Sequence, residues 1–258
     1  MAQHQTIRGI SFEGITGIKR DTQSARDKAI ANLPRLHLVV DPSRLAADGQ
    51  GNEAMIAAPL GPVSVEVEPS ALFDGRPVIK QNNAADKIVI NMEGLGKQSF
   101  SFVTEVVGDA SIYSATAELF SLSSSGADLI HSLRTAASSQ SLRFYPDTAS
   151  SSFNAIANSV FTPGVRHLLC LSWDKATNTS SIFIDNPAVA ANTVVHSPAP
   201  STPITDAMKY AIGNRVVGTS LGWRGLIGTS LIFDAPLHLP AYTWIRQQAF
   251  NALNMGGS

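Results

Sequence analysis

Hydrophobic and polar residues alternate along much of this chain with the two-residue period of β-strands. In Pro62–Glu68, three valines lie on one face of a predicted strand, and Glu66 and Glu68 lie on the other. The apolar runs Leu36–Val40 and His167–Trp173 also have the length of strands. Further strands are predicted over Val78–Ile79, Ile88–Ile90, Phe100–Glu105, Ala117–Leu122, Leu129–Arg134, Leu142–Tyr145 and Ser181–Asn186.

Two segments have a helical pattern instead. In Asp21–Leu33 apolar side chains recur every four residues, Asp21 or Thr22 can cap the start, and Pro34 ends the run. Pro240–Leu253 carries an apolar stripe at helical spacing, with proline near its first turn. We therefore expect one short helix near the start of the chain and one at its end.

Many short strands at intervals of roughly ten residues, followed by one terminal helix, are typical of a two-sheet sandwich. We predict an all-β fold, a two-sheet antiparallel jelly-roll sandwich with a short N-terminal helical arm and a C-terminal helix. The predicted division places the arm at residues 1–35 and the sandwich at residues 36–258.

Composition and charge narrow the range of partners. Charged residues make up 15% of the 258 residues, and the net charge is −1, so no basic face for nucleic acid is expected. Residues 1–35 carry six basic and three acidic side chains. This local excess of +3 suits docking on an acidic neighbour, although a solvated helix face explains it as well.

The chain contains one cysteine, Cys170, inside an apolar run, which indicates a buried side chain and excludes a disulfide framework. The sequence has no signal peptide and no apolar run long enough to span a membrane. We expect synthesis in a cytosol, followed by retention there or release by a route that needs no signal.

Five segments occur in an order that is typical of one family of sandwiches. They are Leu36–Leu45, Phe73–Lys80 with Ile88, Ser99–Glu105, the hairpin Arg166–Asn186, and Ala211–Gly213 with Gly222–Ile227. Together they resemble the LamG-like, concanavalin A-like lectin jelly rolls, of the kind found in phage and bacterial surface proteins. The resemblance covers about residues 35–254.

The resemblance implies a jelly roll, and it implies that some relatives bind glycans at loop rims, often beside a calcium ion. Calcium needs six to eight oxygen ligands from neighbouring loops. Asp41, Asp48, Asp174 and Asp185 are scattered along the chain, so their spacing does not support a calcium site. We expect no cofactor.

The residue patterns of common enzymes are missing from the sequence. The Glu-x-Asp-x-x-Glu pattern of laminarinase-like glycosidases is absent, and Glu66 and Glu68, which share one face of a predicted strand, are interpreted as its solvent side. The six histidines lack metal-ligand spacing, and no Gly-x-Ser-x-Gly elbow occurs. Gly94–Ser99 resembles a phosphate loop only superficially and is interpreted as a turn. We predict a protein that is not an enzyme, with no catalytic, cofactor-binding or metal-ligating residues.

Two functions remain open. The first is a structural or adhesion protein of a virus particle, a bacteriophage capsid decoration or tail-associated protein that is made in the host cytosol and assembled into the virion. Its partners would be major capsid or tail proteins and further copies of itself. The alternative is a carbohydrate-binding module that acts at a cell surface and binds surface glycans.

Each function has its own candidate residues. Glycan binding requires aromatic side chains near loops, and Tyr113 and Tyr145, beside Ser-rich segments, are the candidates. Assembly through the arm would use five of its basic residues, namely Arg8, Lys19, Arg20, Arg26 and Lys28. We expect contact with neither nucleic acid nor membrane.

Overall fold

The computed structural model describes residues 24–43, 66–80, 88–91, 99–123, 129–147, 152–197, 199, 208–215 and 221–255. They form two antiparallel sheets and two α-helices. The helices are α1 (Ala25–Ala31) and α2 (Thr243–Asn254). The strands are β1 (Leu36–Val40), β2 (Glu66–Pro69), β3 (Pro77–Lys80), β4 (Ile88–Asn91), β5 (Ser99–Gly108), β6 (Glu118–Ser123), β7 (Leu129–Ala136), β8 (Ser141–Tyr145), β9 (Asn154–Ala157), β10 (Arg166–Asp174), β11 (Thr179–Ile184), β12 (Asn192–Val195), β13 (Lys209–Ile212) and β14 (Gly225–Phe233).

The larger sheet has eight strands in the order β12-β11-β10-β5-β14-β3-β2, with β1 also paired to β14. The smaller sheet has six, in the order β4-β13-β6-β7-β8-β9. One edge of β14 serves two partners: Ser230–Phe233 pairs with β1, and Leu226 and Ile227 pair with β3. The predicted all-β, two-sheet antiparallel sandwich is confirmed.

The main hydrophobic core fills the space between the two sheets. Phe100 and Phe102 of β5 project from the larger sheet and meet Phe120 of β6, whose ring stacks on Phe102 at a centroid distance of 4.6 Å. Tyr210 of β13 stacks on the other side of Phe120 at 4.7 Å. All four rings are fully buried, so the period-two alternation of β5 selects which of its side chains enter the core.

A second apolar layer covers the outer face of the larger sheet. Val103, Cys170 and Leu231 point away from the main core and pack against Ile245 and Phe250 of α2. Ile30 and Leu33, from α1 and the turn after it, belong to the same cluster. Strands β5, β10 and β14 are therefore buried on both faces, and each of them contributes apolar side chains to both layers. Among the described residues, no helix combines the length and hydropathy needed to cross a lipid bilayer.

The first helix begins later than the sequence predicts. Ser24, rather than Asp21 or Thr22, is its N-cap: the Ser24 hydroxyl accepts from the Asp27 N–H, and the Asp27 carboxylate accepts from the Ser24 N–H. This reciprocal pair is a capping box, which stabilises a helix start more fully than a single cap. The second helix begins at Thr243, because Pro240–Tyr242 forms a 3-10 turn.

Most predicted strands lie where the alternation places them, including both strands of the Arg166–Ile184 hairpin. Strands β13 and β14 fall in the segments Ala211–Gly213 and Gly222–Ile227 of the family resemblance, whereas β9 and β12, each of four residues, fall in no segment singled out from the sequence. Asn154 of β9 donates to the Ser180 carbonyl at 3.0 Å, and Asn192 of β12 donates to the Ala155 carbonyl at 3.0 Å. These contacts join the edge of the larger sheet at β12 and β11 to the edge of the smaller sheet at β9. The predictions for residues 62–65, 81–86 and 92–98 lie outside the described residues.

A buried carboxylate in the middle of the larger sheet collects contacts from four parts of the chain. Glu105 of β5 is fully buried and pairs with Arg76 through two hydrogen bonds, of 2.9 and 2.7 Å. Arg26 of α1 donates at 2.9 Å, and Arg166 of β10 donates at 2.6 Å. The N–H of Thr229 in β14 adds a fifth donor at 3.3 Å. Charge-assisted bonds of this kind offset the cost of burying the carboxylate only when the surrounding donors are all in place.

Glycine is required at two positions of β14. A side chain at Gly228 would meet the Phe73 ring at 2.7 Å and the Glu105 side chain at 2.9 Å, and the pairing of β14 with β5 is irregular at this point. At Gly225, φ is +142° and a Cβ would lie 2.0 Å from the Val107 carbonyl oxygen. Gly225 therefore permits the close approach of β14 to β5. Trp223, nearby, is buried and donates from Nε1 to the same carbonyl at 3.1 Å.

We expect Glu105→Gln to lower the free energy of unfolding by about 3 kcal/mol, because three largely buried guanidiniums lose their shared counter-charge. The matched control is Glu68→Gln, which removes a surface carboxylate 3.2 Å from Lys80 and is expected to cost less than about 1 kcal/mol. Urea unfolding at neutral pH measures both changes. Equal losses in the two variants would contradict the central role of Glu105.

The core also holds a histidine. His131 lies among the rings of Phe100, Phe144 and Trp173, with Nδ1 2.6 Å from the Pro146 carbonyl oxygen. Burial lowers the pKa of the His131 imidazole from 6.5 to about 4, although the Pro146 carbonyl opposes the shift. The folded protein therefore keeps this side chain neutral under conditions in which the unfolded chain takes up a proton.

Because the pKa of His131 is lower in the folded state, stability is complete above pH 6.5 and falls as the pH drops toward 4, by up to about 3 kcal/mol. His131→Phe removes this contribution. We expect urea unfolding between pH 4.5 and pH 7 to show a shallower pH dependence in the variant than in the wild type. The loss of the Pro146 contact shifts the variant's stability equally at every pH, so an unchanged slope would show that His131 is not the group responsible.

Candidate functional site

A group of arginines lies on the outer face of the smaller sheet. Strand alternation sends Leu133, Leu142 and Phe144 into the core, and it therefore places Arg134 of β7 and Arg143 of β8 on the opposite face. The two arginines are direct cross-strand neighbours, since Arg134 pairs in register with Arg143. The sheet thus presents two guanidiniums side by side.

These arginines line a cavity of about 500 Å³ at one end of the sheet. Its wall also includes Tyr145 of β8, Arg215 after β13, and the short residues Thr116 and Ser138. Pockets of this volume accommodate ligands of the size of a sugar or a small drug. The lining combines three cationic donors, hydroxyl groups and one aromatic ring.

Glu118 of β6 lies behind two of the arginines and is fully buried. Its carboxylate accepts from the Ser132 hydroxyl at 3.0 and 2.7 Å and from Arg215 Nε at 2.9 Å, and it lies 3.6 Å from Arg134 Nη1. Burial raises the pKa of Glu118, and the Ser132 hydroxyl and the two guanidiniums oppose that rise. The buried Glu118 carboxylate therefore holds the guanidiniums of Arg134 and Arg215 in position at the wall of the cavity.

Arg143 is positioned without a carboxylate among the described residues. Its guanidinium donates to the hydroxyls of Ser141 at 3.0 Å, Tyr145 at 3.3 Å and Ser139 at 2.6 Å. It also stacks on the Phe153 ring, at 4.2 Å from the ring centroid. The side chain is thereby held in one place, and no carboxylate in the described part of the chain pairs with its charge.

Tyr145 connects the arginines. The guanidinium of Arg134 lies over the Tyr145 ring at 4.5 Å from the centroid, and the Tyr145 hydroxyl accepts from Arg143. Cation–π stacking of this kind fixes the plane of a guanidinium as well as its position. Tyr145, half-buried, is thus the side chain that contacts both members of the cross-strand arginine pair.

The candidate residues from the sequence lie in different places. Tyr145 lines the cavity. Tyr113 is half-buried, packs against the main core and donates to the Phe161 carbonyl at 3.0 Å; burial raises its pKa to about 12. The structure thus brings Tyr145, and not Tyr113, to the arginine cavity.

The candidate assembly residues are also separated. Arg26 is buried against Glu105, whereas Lys28, on the same helix, is exposed. Arg8, Lys19 and Arg20 lie outside the described residues. A role of residues 1–35 in assembly stays a prediction, with Arg26 holding α1 on the larger sheet.

Two other polar clusters pair a histidine with a serine that solvent does not reach. His238 Nδ1 lies 2.8 Å from the Ser172 hydroxyl, and His196 Nε2 lies 2.8 Å from that of Ser180, but both serines are fully buried. Within the part of the chain that the structure describes, no three His, Cys, Asp or Glu side chains are grouped to hold a metal ion.

The sequence interpretation did not single out Arg134, Arg143 or Arg215. The sequence does contain a signal for Arg134 and Arg143, because each follows an apolar residue in an alternating strand. The alternation in Leu133–Arg134 and in Leu142–Tyr145 places both arginines and Tyr145 on the polar face of the sheet. Arg215 follows a different strand, and its approach to Glu118, 97 residues earlier, depends on the sheet order.

No protein-family model and no curated protein sequence matches the chain. Solved structures match it by shape. The sialidase of Trypanosoma rangeli superposes with a TM-score of 0.63 at 14% identity, over 90% of this chain and 38% of the sialidase chain. The binding domain of botulinum neurotoxin DC, in a complex with rat synaptotagmin II, has a TM-score of 0.54 at 11% identity, over 85% of this chain and 52% of that one.

Domain 4 of AbnA, an extracellular GH43 arabinanase of Geobacillus stearothermophilus in complex with arabinotriose, has a TM-score of 0.53 at 14% identity. The alignment covers 83% of this chain and 98% of that domain. The chain spans well under two thirds of the sialidase and of the neurotoxin domain. At these identities the matches show a shared β-sandwich fold, of the kind that occurs in lectin-like domains.

Proposed function

We propose that the chain is a non-enzymatic carbohydrate-binding module with a LamG-like, concanavalin A-like jelly roll, and that the arginine cavity is its binding site. The observation that carries this proposal is the preorganised wall of the cavity, in which Arg134, Arg143 and Tyr145 hold one another through stacking and hydrogen bonds. Sugars are bound in proteins through planar hydrogen-bond donors combined with an aromatic ring.

The shapes of the similar structures support this choice. Domain 4 of the arabinanase was solved with arabinotriose, and the T. rangeli sialidase with sialic acid. A further match is a structure of botulinum neurotoxin type C, whose cell entry depends on interaction with two ganglioside molecules. Fold alone does not carry function, so the weight of the proposal rests on the residues of the cavity.

The role in a phage particle, with capsid or tail proteins as partners, has no support from these matches and stays a prediction of the sequence. A carbohydrate-binding module at a cell surface, the alternative, agrees better with the matched structures.

A glycan array and calorimetric titration of the full chain test the proposal. We expect specific binding that Tyr145→Ala weakens at least about tenfold, because both Arg134 and Arg143 lose the side chain that positions them. The control is Tyr113→Phe, which removes a hydroxyl that bonds to Phe161 away from the cavity and is expected to bind as the wild type does.

Thermal unfolding of each variant establishes that it is folded before binding is compared. Absence of glycan binding by the wild type, or equal binding by the wild type and a folded Tyr145→Ala variant, would refute the proposed site.

A further inference from the structure

We infer that the arginine cavity selects saccharides that carry a carboxylate group, such as those ending in a hexuronic or a sialic acid. The inference rests on the proposed function, since it names the class of saccharide that is bound at the same cavity.

The first argument is the register of the sheet. Arg134 and Arg143 face each other directly across β7 and β8, where like charges destabilise a sheet. Each guanidinium is stacked on its own ring, Arg134 on Tyr145 and Arg143 on Phe153, so the unfavourable pair is held in place. An arrangement that costs stability and is nevertheless built firmly is typical of a binding site.

The second argument is the local charge. Among the described residues, three guanidiniums line the cavity and one carboxylate, Glu118, contacts two of them, which leaves a charge of +2 when Glu118 is ionised. Arg143 contributes directly to this excess, because its described partners are neutral hydroxyls. The whole chain has a net charge of −1, so the excess is a property of the cavity.

The cluster around Glu105 provides a comparison within the same molecule. It also gathers three arginines on one buried glutamate, but Asp41 lies 4.0 Å from Arg26 and Asp74 lies 3.9 Å from Arg76. Three acidic groups therefore accompany three basic ones, and the cluster is balanced. The positive charge of three arginines is thus neutralised at Glu105, where the cluster holds the fold together, and is only partly neutralised at Glu118, beside the cavity.

The third argument is geometric. A guanidinium is planar and donates two parallel hydrogen bonds to a carboxylate, and stacking on an aromatic ring fixes its plane in advance. Because Arg143 and Arg134 are already oriented, a carboxylate on a sugar ring could accept hydrogen bonds from their guanidiniums and pair with the positive charge. The hydroxyl groups of the sugar would then meet the polar wall of the cavity, which includes Thr116 and Ser138.

The test uses matched pairs of ligands on the full chain. Methyl β-D-glucuronide and methyl β-D-glucoside differ only in the carboxylate at C6, and an array extends the comparison to sialylated and uronic acid-containing glycans beside their neutral parents. We expect the acidic member of at least one pair to bind about tenfold or more tightly than its parent, with the preference weakening as salt rises. Glucose 6-sulfate and sodium acetate are the reference anions.

Variants locate the effect. Arg143→Gln is expected to reduce binding of the acidic ligand about tenfold, toward that of its neutral parent, and Arg143→Lys to restore part of it. The matched control is Arg35→Gln, which removes an equal charge from an exposed side chain paired with Asp234 beside the larger sheet. Because Arg143→Gln relieves a like-charge pair, the variant is expected to unfold at or above the wild-type temperature.

The outcomes separate the two proposals. Equal binding of the acidic and the neutral saccharide of each pair overturns the inference and leaves the proposed function intact. If the chain binds no glycan at all, the proposed function itself is refuted. Tighter binding of glucose 6-sulfate than of any carboxylated sugar, or acetate binding as tight as that of the glucuronide, also overturns the inference. So does an equal loss in Arg143→Gln and Arg35→Gln.

Discussion

The burial of one carboxylate at the centre of the larger sheet constrains much of this structure. Glu105 sits on β5, between β10 and β14, and its five donors come from α1, the turn before β3, β10 and β14. A charge in that position is tolerable only if those elements meet around it, because an uncompensated buried ion costs several kilocalories per mole, on the order of 3–5. The irregular pairing at Gly228, which brings the Thr229 N–H to the carboxylate, belongs to the same arrangement.

Strand β5 contributes side chains to both hydrophobic layers of the protein. Phe100 and Phe102 point into the sandwich, while Val103 points outward to the helices. The rings of the main core pack closely around His131, whose imidazole is kept neutral by burial and whose Nδ1 lies 2.6 Å from the Pro146 carbonyl oxygen. The smaller sheet is therefore supported from behind, and its outer face can carry polar side chains at fixed positions.

Local patterns explain which parts of the fold were predictable. The alternation in β5 and the hairpin around residues 174–179 are properties of neighbouring residues, and both were predicted from the sequence. The short strands β9 and β12 were missed because long-range contacts define them, notably the side-chain bonds of Asn154 and Asn192. The start of α1 was misplaced because Asp21, Thr22 and Ser24 are all acceptable caps, and only Ser24 is followed by an acidic residue three positions later.

The candidate site was less predictable than the fold. Tyr145 was identified from its place beside a Ser-rich segment, but the arginines that it contacts come from strands whose pairing the sequence did not specify. A net charge near zero also concealed the local excess, because the acidic side chains that balance the total lie elsewhere, Asp41 and Asp74 among them. The contrast between the balanced cluster at Glu105 and the unbalanced cavity at Glu118 emerges only in three dimensions.

The central claim is that the arginines of the smaller sheet, and not those of the buried cluster, receive the ligand. The most direct measurement is an NMR titration of the isotope-labelled full chain with methyl β-D-glucuronide, following the Nε–Hε signals of the arginine side chains. We predict shifts for Arg134, Arg143 and Arg215 and none for Arg26, Arg76 and Arg166. Shifts confined to other arginines, or binding that leaves all three cavity signals unchanged, would contradict the account.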